Sequence, residues 1–259
     1  MNSATIAILG LVVSCIGMTL TWRKAIKLDN FGIVDVVWSG GFMGLAIFYL
    51  ALSPGFLTRK LLIATIAFLW SLRLTYYLYR RVLRHEEDSR YRQLRVEWAP
   101  HVNRNFFYFF QAQAFVLWAL SLPFFLIMQN YTPVLGCLEI TASLLWAVSL
   151  FGETLADRQL SHFKANPQNR GKTCQSGLWN YSRHPNYFFE FMIWVSYFLF
   201  ALNSPYGWLT ILCPAFMLYL LLKVTGVPMA EYQSLKSRGD EYREYQRTTS
   251  VFVPWFKRK

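Results

Sequence analysis

Seven stretches of this chain run almost without charge, at roughly 4–22, 31–53, 59–80, 106–128, 133–155, 187–203 and 206–225. A helix needs about 20 apolar residues to cross the hydrocarbon of a bilayer. The pattern predicts an all-α fold, a polytopic membrane bundle of seven transmembrane helices with cytoplasmic helical loops and tail. The sixth run is short, but Tyr187 to Leu202 holds no charge except Glu190. No linker rich in Pro, Gly or Ser interrupts the chain, so residues 1–259 read as a single domain. The first run lacks a basic leading segment and a cleavage site, and is read as a helix.

Composition agrees. Only 15% of residues are charged, against roughly 25% in a soluble domain. The net charge of +12 falls in the segments between apolar runs. Membrane orientation therefore explains it, and no nucleic-acid partner is implied. Cys15, Cys137, Cys174 and Cys213 are too widely spaced for a disulfide framework or a zinc site.

The connections set the orientation. The segments "QNYTP" and "NSPYG" carry no Lys or Arg. Residues 80–105 hold Arg80, Arg81, Arg84, Arg90, Arg92, Arg95 and Arg104, and residues 156–186 hold Arg158, Lys164, Arg170, Lys172 and Arg183. Basic loops stay in the cytoplasm, which puts the N-terminus outside and the C-terminus inside. Arg23, Lys24 and Lys27 agree, while Arg59 and Lys60 are the exception. "RRVLRHEEDSRYRQLR" reads as a helix running on past the membrane, with opposite charges three and four apart. The tail reads as an amphipathic helix, a Gly-Asp turn, a short second helix and an extended end.

Ionisable groups at membrane depth are rare unless they face a cavity or a partner. Asp35, Arg73, Glu139, Glu153, Asp157 and Glu190 stand there. Arg73 and Asp35 could pair within the bundle, and Glu139 reads as interfacial. Glu153 and Asp157, four apart, share one helix face. Carboxylates accept hydrogen bonds from ribose hydroxyls or a carboxamide, Arg and Lys hold phosphates, and Asn186 offers both donor and acceptor. Together these describe a nucleotide cofactor at the cytoplasmic mouth, without the glycine-rich loop of a soluble nucleotide domain. The helix opened by Pro185 presents free N–H groups to an anion, beside Arg183, His184 and Tyr187.

"NFGIVDVVW" at 30–38, "EDSRY" at 87–91, "GLWNYSRHPNYFFE" at 177–190 and "YREYQRTTSVFVPW" at 242–255 resemble a bacterial integral membrane family of unknown function related to the steroid 5-alpha-reductase superfamily. The resemblance covers nearly the whole chain. It implies seven helices and a cytoplasmic NADPH pocket, with the cofactor-binding half at about 106–259. Carried over residue by residue, it assigns Glu153, Asp157, Lys164 and Lys172, then Asn186, Glu190 and Trp194, to the cofactor. Arg73, Tyr77 and Arg84 match the third-helix pattern, and Tyr245 with Pro254 matches the terminal one. Arg95 is a further phosphate candidate.

The resemblance implies hydride transfer to the carbon–carbon double bond of a hydrophobic, enone-type substrate drawn from the bilayer. It indicates no obligate protein partner and a place in a bacterial inner membrane. One position departs: Trp70 stands where the reductases place a proton-donating Tyr. Asp35 and Tyr76 are then the catalytic candidates. Arg-His-Pro-x-Tyr is similar also to isoprenylcysteine and phospholipid methyltransferases, where it helps hold S-adenosylmethionine, although their adjacent acids are reduced here to Glu231. Membrane methyl transfer and non-enzymatic lipid binding are the alternatives.

Overall fold

The computed structural model describes residues 1–84 and 87–257, without the side chains of Leu83 and Arg84. Among these residues all regular secondary structure is helical. The helices are α1 (Ser3–Leu28), α2 (Ile33–Leu52), α3 (Leu57–Arg84), α4 (Ser89–Glu97) and α5 (Val102–Met128). They continue as α6 (Cys137–Ala165), α7 (Pro185–Ala201), α8 (Leu212–Tyr219), α9 (Val227–Arg238) and α10 (Asp240–Thr248). Six stretches are long and apolar enough to cross a membrane: α1, α2, α3, α5, α6 and Gly207–Arg238. The last includes α8 and α9, joined through a π-helical turn at Leu220–Val224. The remaining expected span, α7, is apolar but has 17 residues, about 26 Å against a hydrocarbon core of ~30 Å.

The chain divides into two compact units, Met1–Leu135 with Asn203–Gly207, and Gly136–Leu202 with Trp208–Lys259. In the first unit α2 packs against α3, and α1 against α5. Phe42 meets Trp70 edge-on at 5.2 Å and Phe124 at 6.3 Å, and all three are fully buried. Trp70 is thus part of this aromatic core. Apolar residues of α1 such as Ile8, Val12, Ile16 and Leu20 remain exposed, as a lipid-facing stripe requires.

Arg59 is buried, and its guanidinium donates to the carbonyl of Val134 at 2.8 Å. Lys60 donates to the carbonyl of Ser53. These two cations, the exception to the charge rule, tie the start of α3 to the end of α2 and to the segment before α6.

One expectation about a polar segment changes, and one gains a partner. "RRVLRHEEDSRYRQLR" is not one continuous helix: α3 ends at Arg84 and α4 starts at Ser89. The Asp88 side chain accepts from the Arg90 amide, an N-cap that starts a new helix. Glu139, read as interfacial, is buried within the protein, and its carboxylate accepts from the Gly136 amide at the start of α6. A carboxylate there satisfies an orphan donor and complements the helix dipole.

In the second unit α6 packs along α7. A methyl group at Gly152 would lie 2.5 Å from the Phe189 ring, so this glycine is what lets the ring seat against the α6 backbone. The tail follows its expected course. Gly239, at φ +56, separates α9 from α10, and residues 249–257 continue without regular helix.

Candidate functional site

α6 and α7 gather polar side chains on facing surfaces within the second unit. Glu153, Asp157 and Glu190 are buried. From Cys137, Glu153 lies about 24 Å along the helix axis and Asp157 about 30 Å, so both acids sit near the far edge of a hydrocarbon core entered at Cys137. Asn186 Nδ2 donates to Asp157 Oδ1 at 3.2 Å. Its Oδ1 is buried with no hydrogen-bond partner. One turn on, Trp194 Nε1 donates to Glu190 Oε1 at 2.9 Å, and Trp194 is fully buried. Deeper along the same pair, Trp146 Nε1 donates to Tyr197 OH at 3.3 Å. Of the residues assigned from sequence, the structure joins Asn186 to Asp157 and Trp194 to Glu190.

The Arg183–His184 corner forms a second cluster in this unit. Arg183 Nε donates to Glu231 Oε1 at 2.7 Å. Its Nη1 donates to the carbonyls of Gln246 at 2.8 Å and Thr249 at 2.7 Å. Gln246 Nε2 donates to the other oxygen of Glu231 at 2.8 Å. His184 Nε2 lies 3.3 Å from Glu231 Oε1; a carboxylate only accepts, so this nitrogen carries the hydrogen. Burial holds the His184 imidazole below its ordinary value, more than offsetting the pull of Glu231 in the other direction. A neutral ring results, stacked on Tyr187 at 5.3 Å.

Glu231, passed over in the sequence as a single acid, is the hub that ties α7 to α9 and α10. Tyr245 donates to the carbonyl of Trp179, with that of Ser182 at 3.1 Å, and burial pushes its hydroxyl well above the ordinary range. Its hydroxyl fastens α10 under the loop before α7. Lys164 and Lys172 are exposed at the end of α6 and in the loop that follows. An open cleft of ≈ 530 Å³ lies along α10, lined by Asp240, Arg243, Gln246 and Arg247. It lies outside the α6–α7 cluster, and its Arg243 is paired with Asp240 at 2.7 Å.

In the first unit Asp35 accepts from Tyr91 OH at 2.7 Å and from Arg90 Nη2 at 3.1 Å, with Arg81 at 3.8 Å. The anticipated Asp35–Arg73 pair gives way to these partners. Burial and the nearby Asp35 charge hold the Tyr91 hydroxyl well above its ordinary range. Burial raises the Asp88 carboxyl, but hydrogen bonds from Arg90 and the charges of Arg90 and Arg81 outweigh it and leave Asp88 low. Arg95 makes a forked contact with Glu87 at 2.7 and 3.2 Å. It also pairs with Asp29 at 2.8 Å and covers the Phe31 ring at 4.6 Å, so its guanidinium is engaged within the loop. Arg73 lies 6.0 Å from the Tyr77 ring centroid. Tyr76 is exposed, and its oxygen accepts from Arg80 at 3.4 Å. The Arg84 side chain lies outside the described residues.

The chain is 27% identical to an uncharacterized protein of the fission yeast Schizosaccharomyces pombe over 281 aligned residues, covering 95% of this chain and 79% of the yeast one. No solved structure matches. A family model matches residues 21–249, a span that includes α2 through α10 and both polar clusters. By that match the chain belongs to the DUF1295 family, a family of proteins of unknown function.

Proposed function

We propose that this protein is a membrane-embedded, NADPH-dependent reductase of the steroid 5-alpha-reductase type. It reduces the carbon–carbon double bond of a hydrophobic, enone-type lipid. α7 is its seventh crossing, the N-terminus is outside, and the α6–α7 acids lie at the cytoplasmic edge. NADPH supplies the hydride when bound.

The observation that carries the reading is the Asn186 amide. Its nitrogen is fixed on Asp157 while its oxygen is a buried, unpartnered acceptor. A buried acceptor left bare is costly, and a carboxamide donor, as on nicotinamide, would satisfy it. Glu153 lies one turn from Asp157 and Glu190 one turn from Asn186 on the same two helices, and both suit ribose hydroxyls. Phosphates would be repelled by these acids. The exposed Lys164 and Lys172 supply the cations they need.

Of the two acid candidates, Tyr76 is the better proton donor. Its oxygen accepts from Arg80, which leaves its own proton to give. Asp35 already accepts from two donors.

The test heats purified full-length protein in detergent with NADPH, NADH or S-adenosylmethionine. A ligand that binds only the folded state raises the melting temperature. NADPH is expected to raise it by several degrees. Asn186→Ala is expected to lose that gain with its unliganded melting point nearly unchanged, and Lys172→Ala to narrow the preference for NADPH over NADH.

A second reading, methyl transfer from S-adenosylmethionine, draws on the junction of Arg183 and His184 with Glu231. Stabilisation by S-adenosylmethionine alone would establish it in place of the reductase. Stabilisation by none of the three would leave lipid binding without catalysis.

A further inference from the structure

We infer that residues 250–257 form an interfacial foot that binds the anionic headgroups of the leaflet in which α7 begins. The inference rests on α7 crossing the bilayer, and it is independent of any cofactor.

The segment is fastened to the entrance of α7. The Arg183 amide donates to the Ser250 carbonyl at 2.8 Å. The Ser182 hydroxyl donates to the Phe252 carbonyl at 2.8 Å. The Trp255 amide donates to the Tyr181 carbonyl at 2.8 Å. Phe252 turns inward, buried against Phe188 at 5.8 Å and Phe191 at 6.0 Å. Its neighbours turn outward: Val253 is 53% exposed, Trp255 67% and Phe256 74%. Tyr181 meets Phe256 edge-on at 6.1 Å and is itself exposed.

The position of this patch follows from α7. A helix of about 26 Å is shorter than the ~30 Å core, so its first turn cannot stand clear of the membrane. Residues fastened within four positions of that turn lie at headgroup depth. Trp and Tyr favour that layer, whereas a cluster of exposed aromatic rings in water is unfavourable.

The charge chooses the lipid. Lys257 follows the rings directly, and by sequence Arg258 and Lys259 extend it to three consecutive cations. Basic residues beside a membrane segment draw it to anionic lipid. The same fastenings flank His184, so a foot held on the membrane also steadies the Arg183–Glu231 corner.

The test uses the full chain with its four native cysteines changed to serine, Trp255→Cys, and a fluorophore attached at that position. A second version carries Phe256→Cys, and gel filtration confirms folding of each. The protein is placed in nanodiscs of phosphatidylcholine, with or without about a third phosphatidylglycerol, containing lipid brominated high on the acyl chain. Quenching is expected in both lipids, at least twofold stronger with phosphatidylglycerol. Lys257→Glu with Arg258→Glu and Lys259→Glu should remove the difference between lipids, and high salt should weaken it.

Absence of quenching from both positions would overturn the inference. So would quenching equal in the two lipids, which would reduce the foot to apolar contact. Cross-linking of position 255 between copies without lipid quenching would assign the patch to a second copy instead. Failure of NADPH to bind would leave the lipid readout intact.

Discussion

Arg183 illustrates how the residue scale separates holding from binding. In sequence it reads as a cation at a helix N-terminus, suited to phosphate. In the fold its donors reach one carboxylate and two carbonyls, all on the tail. Its partner Glu231 takes a further hydrogen bond from Gln246. Hydrogen bonds to charged groups contribute about 1.5–3 kcal/mol each, and removing one partner of a buried pair leaves the other exposed to its full desolvation cost. Arg183→Ala is therefore expected to release the tail. Trypsin should then cut after Arg243 and Arg247 at least tenfold faster than in the wild type, while Arg183→Lys, which keeps one donor to Glu231, should be intermediate. Unchanged cleavage would show that Tyr245 and the fastenings of Ser250, Phe252 and Trp255 suffice.

Asn186 makes the complementary case, since its oxygen has no partner where three hydrogen bonds engage Arg183. Sequence reading identified both residues from one string but could not distinguish them. The distinction depends on Glu231 and residues 246–249, which lie more than 45 positions downstream.

At the scale of elements, the apolar helices were legible because apolar length is a local property. The expected cores of the runs lie in α1, α2, α3, α5, α6, α7 and α8. Their ends were less legible. α6 runs to Ala165, ten residues past the expected 155, because amphipathic polar turns continue a helix without apolar content. The break between α3 and α4 depends on the Asp88 cap, whose pairing with Arg90 and Arg81 looks from sequence like the charge ladder of a continuous helix.

The α6–α7 pair depends on a close approach that hydropathy does not register. Membrane helices associate through small residues that let backbones approach. At Gly152 an added Cβ would meet three atoms of the Phe189 ring, at 2.5 to 2.7 Å. Gly152→Ala must push that ring aside, an overpacking strain of about 1–3 kcal/mol. Expected are a melting point lower by several degrees and weaker nucleotide stabilisation, since Glu153 and Asp157 follow directly on α6. If Gly152→Ala melts like the wild type while Phe189→Ala does not, the ring matters but the close approach does not.

At the scale of the whole molecule, the orientation in the membrane rests on the charge of the loops. Each Lys or Arg near a spanning helix favours retention in the cytoplasm. Arg59 and Lys60, the discordant pair, are engaged by carbonyls of the first unit. Backbone dipoles thereby solvate their charge in the finished fold, and that charge still acts during insertion. The protein carries its own reporter for the outcome. Cys137 opens α6 and is exposed, Cys174 and Cys213 are buried, and Cys15 lies within α1, partly covered. With the loop before α6 outside, a membrane-impermeant maleimide added to intact expressing cells should modify Cys137, identified by mass spectrometry of the peptide. Cys15, Cys174 and Cys213 should stay unmodified. Permeabilisation should add little, because the thiol nearest the basic loops, Cys174, is covered by its own fold. Labelling of Cys137 only after permeabilisation would invert the chain. The α6–α7 acids and the basic foot would then face away from the cytoplasm, where NADPH is supplied, and the reductase reading would fall with the orientation.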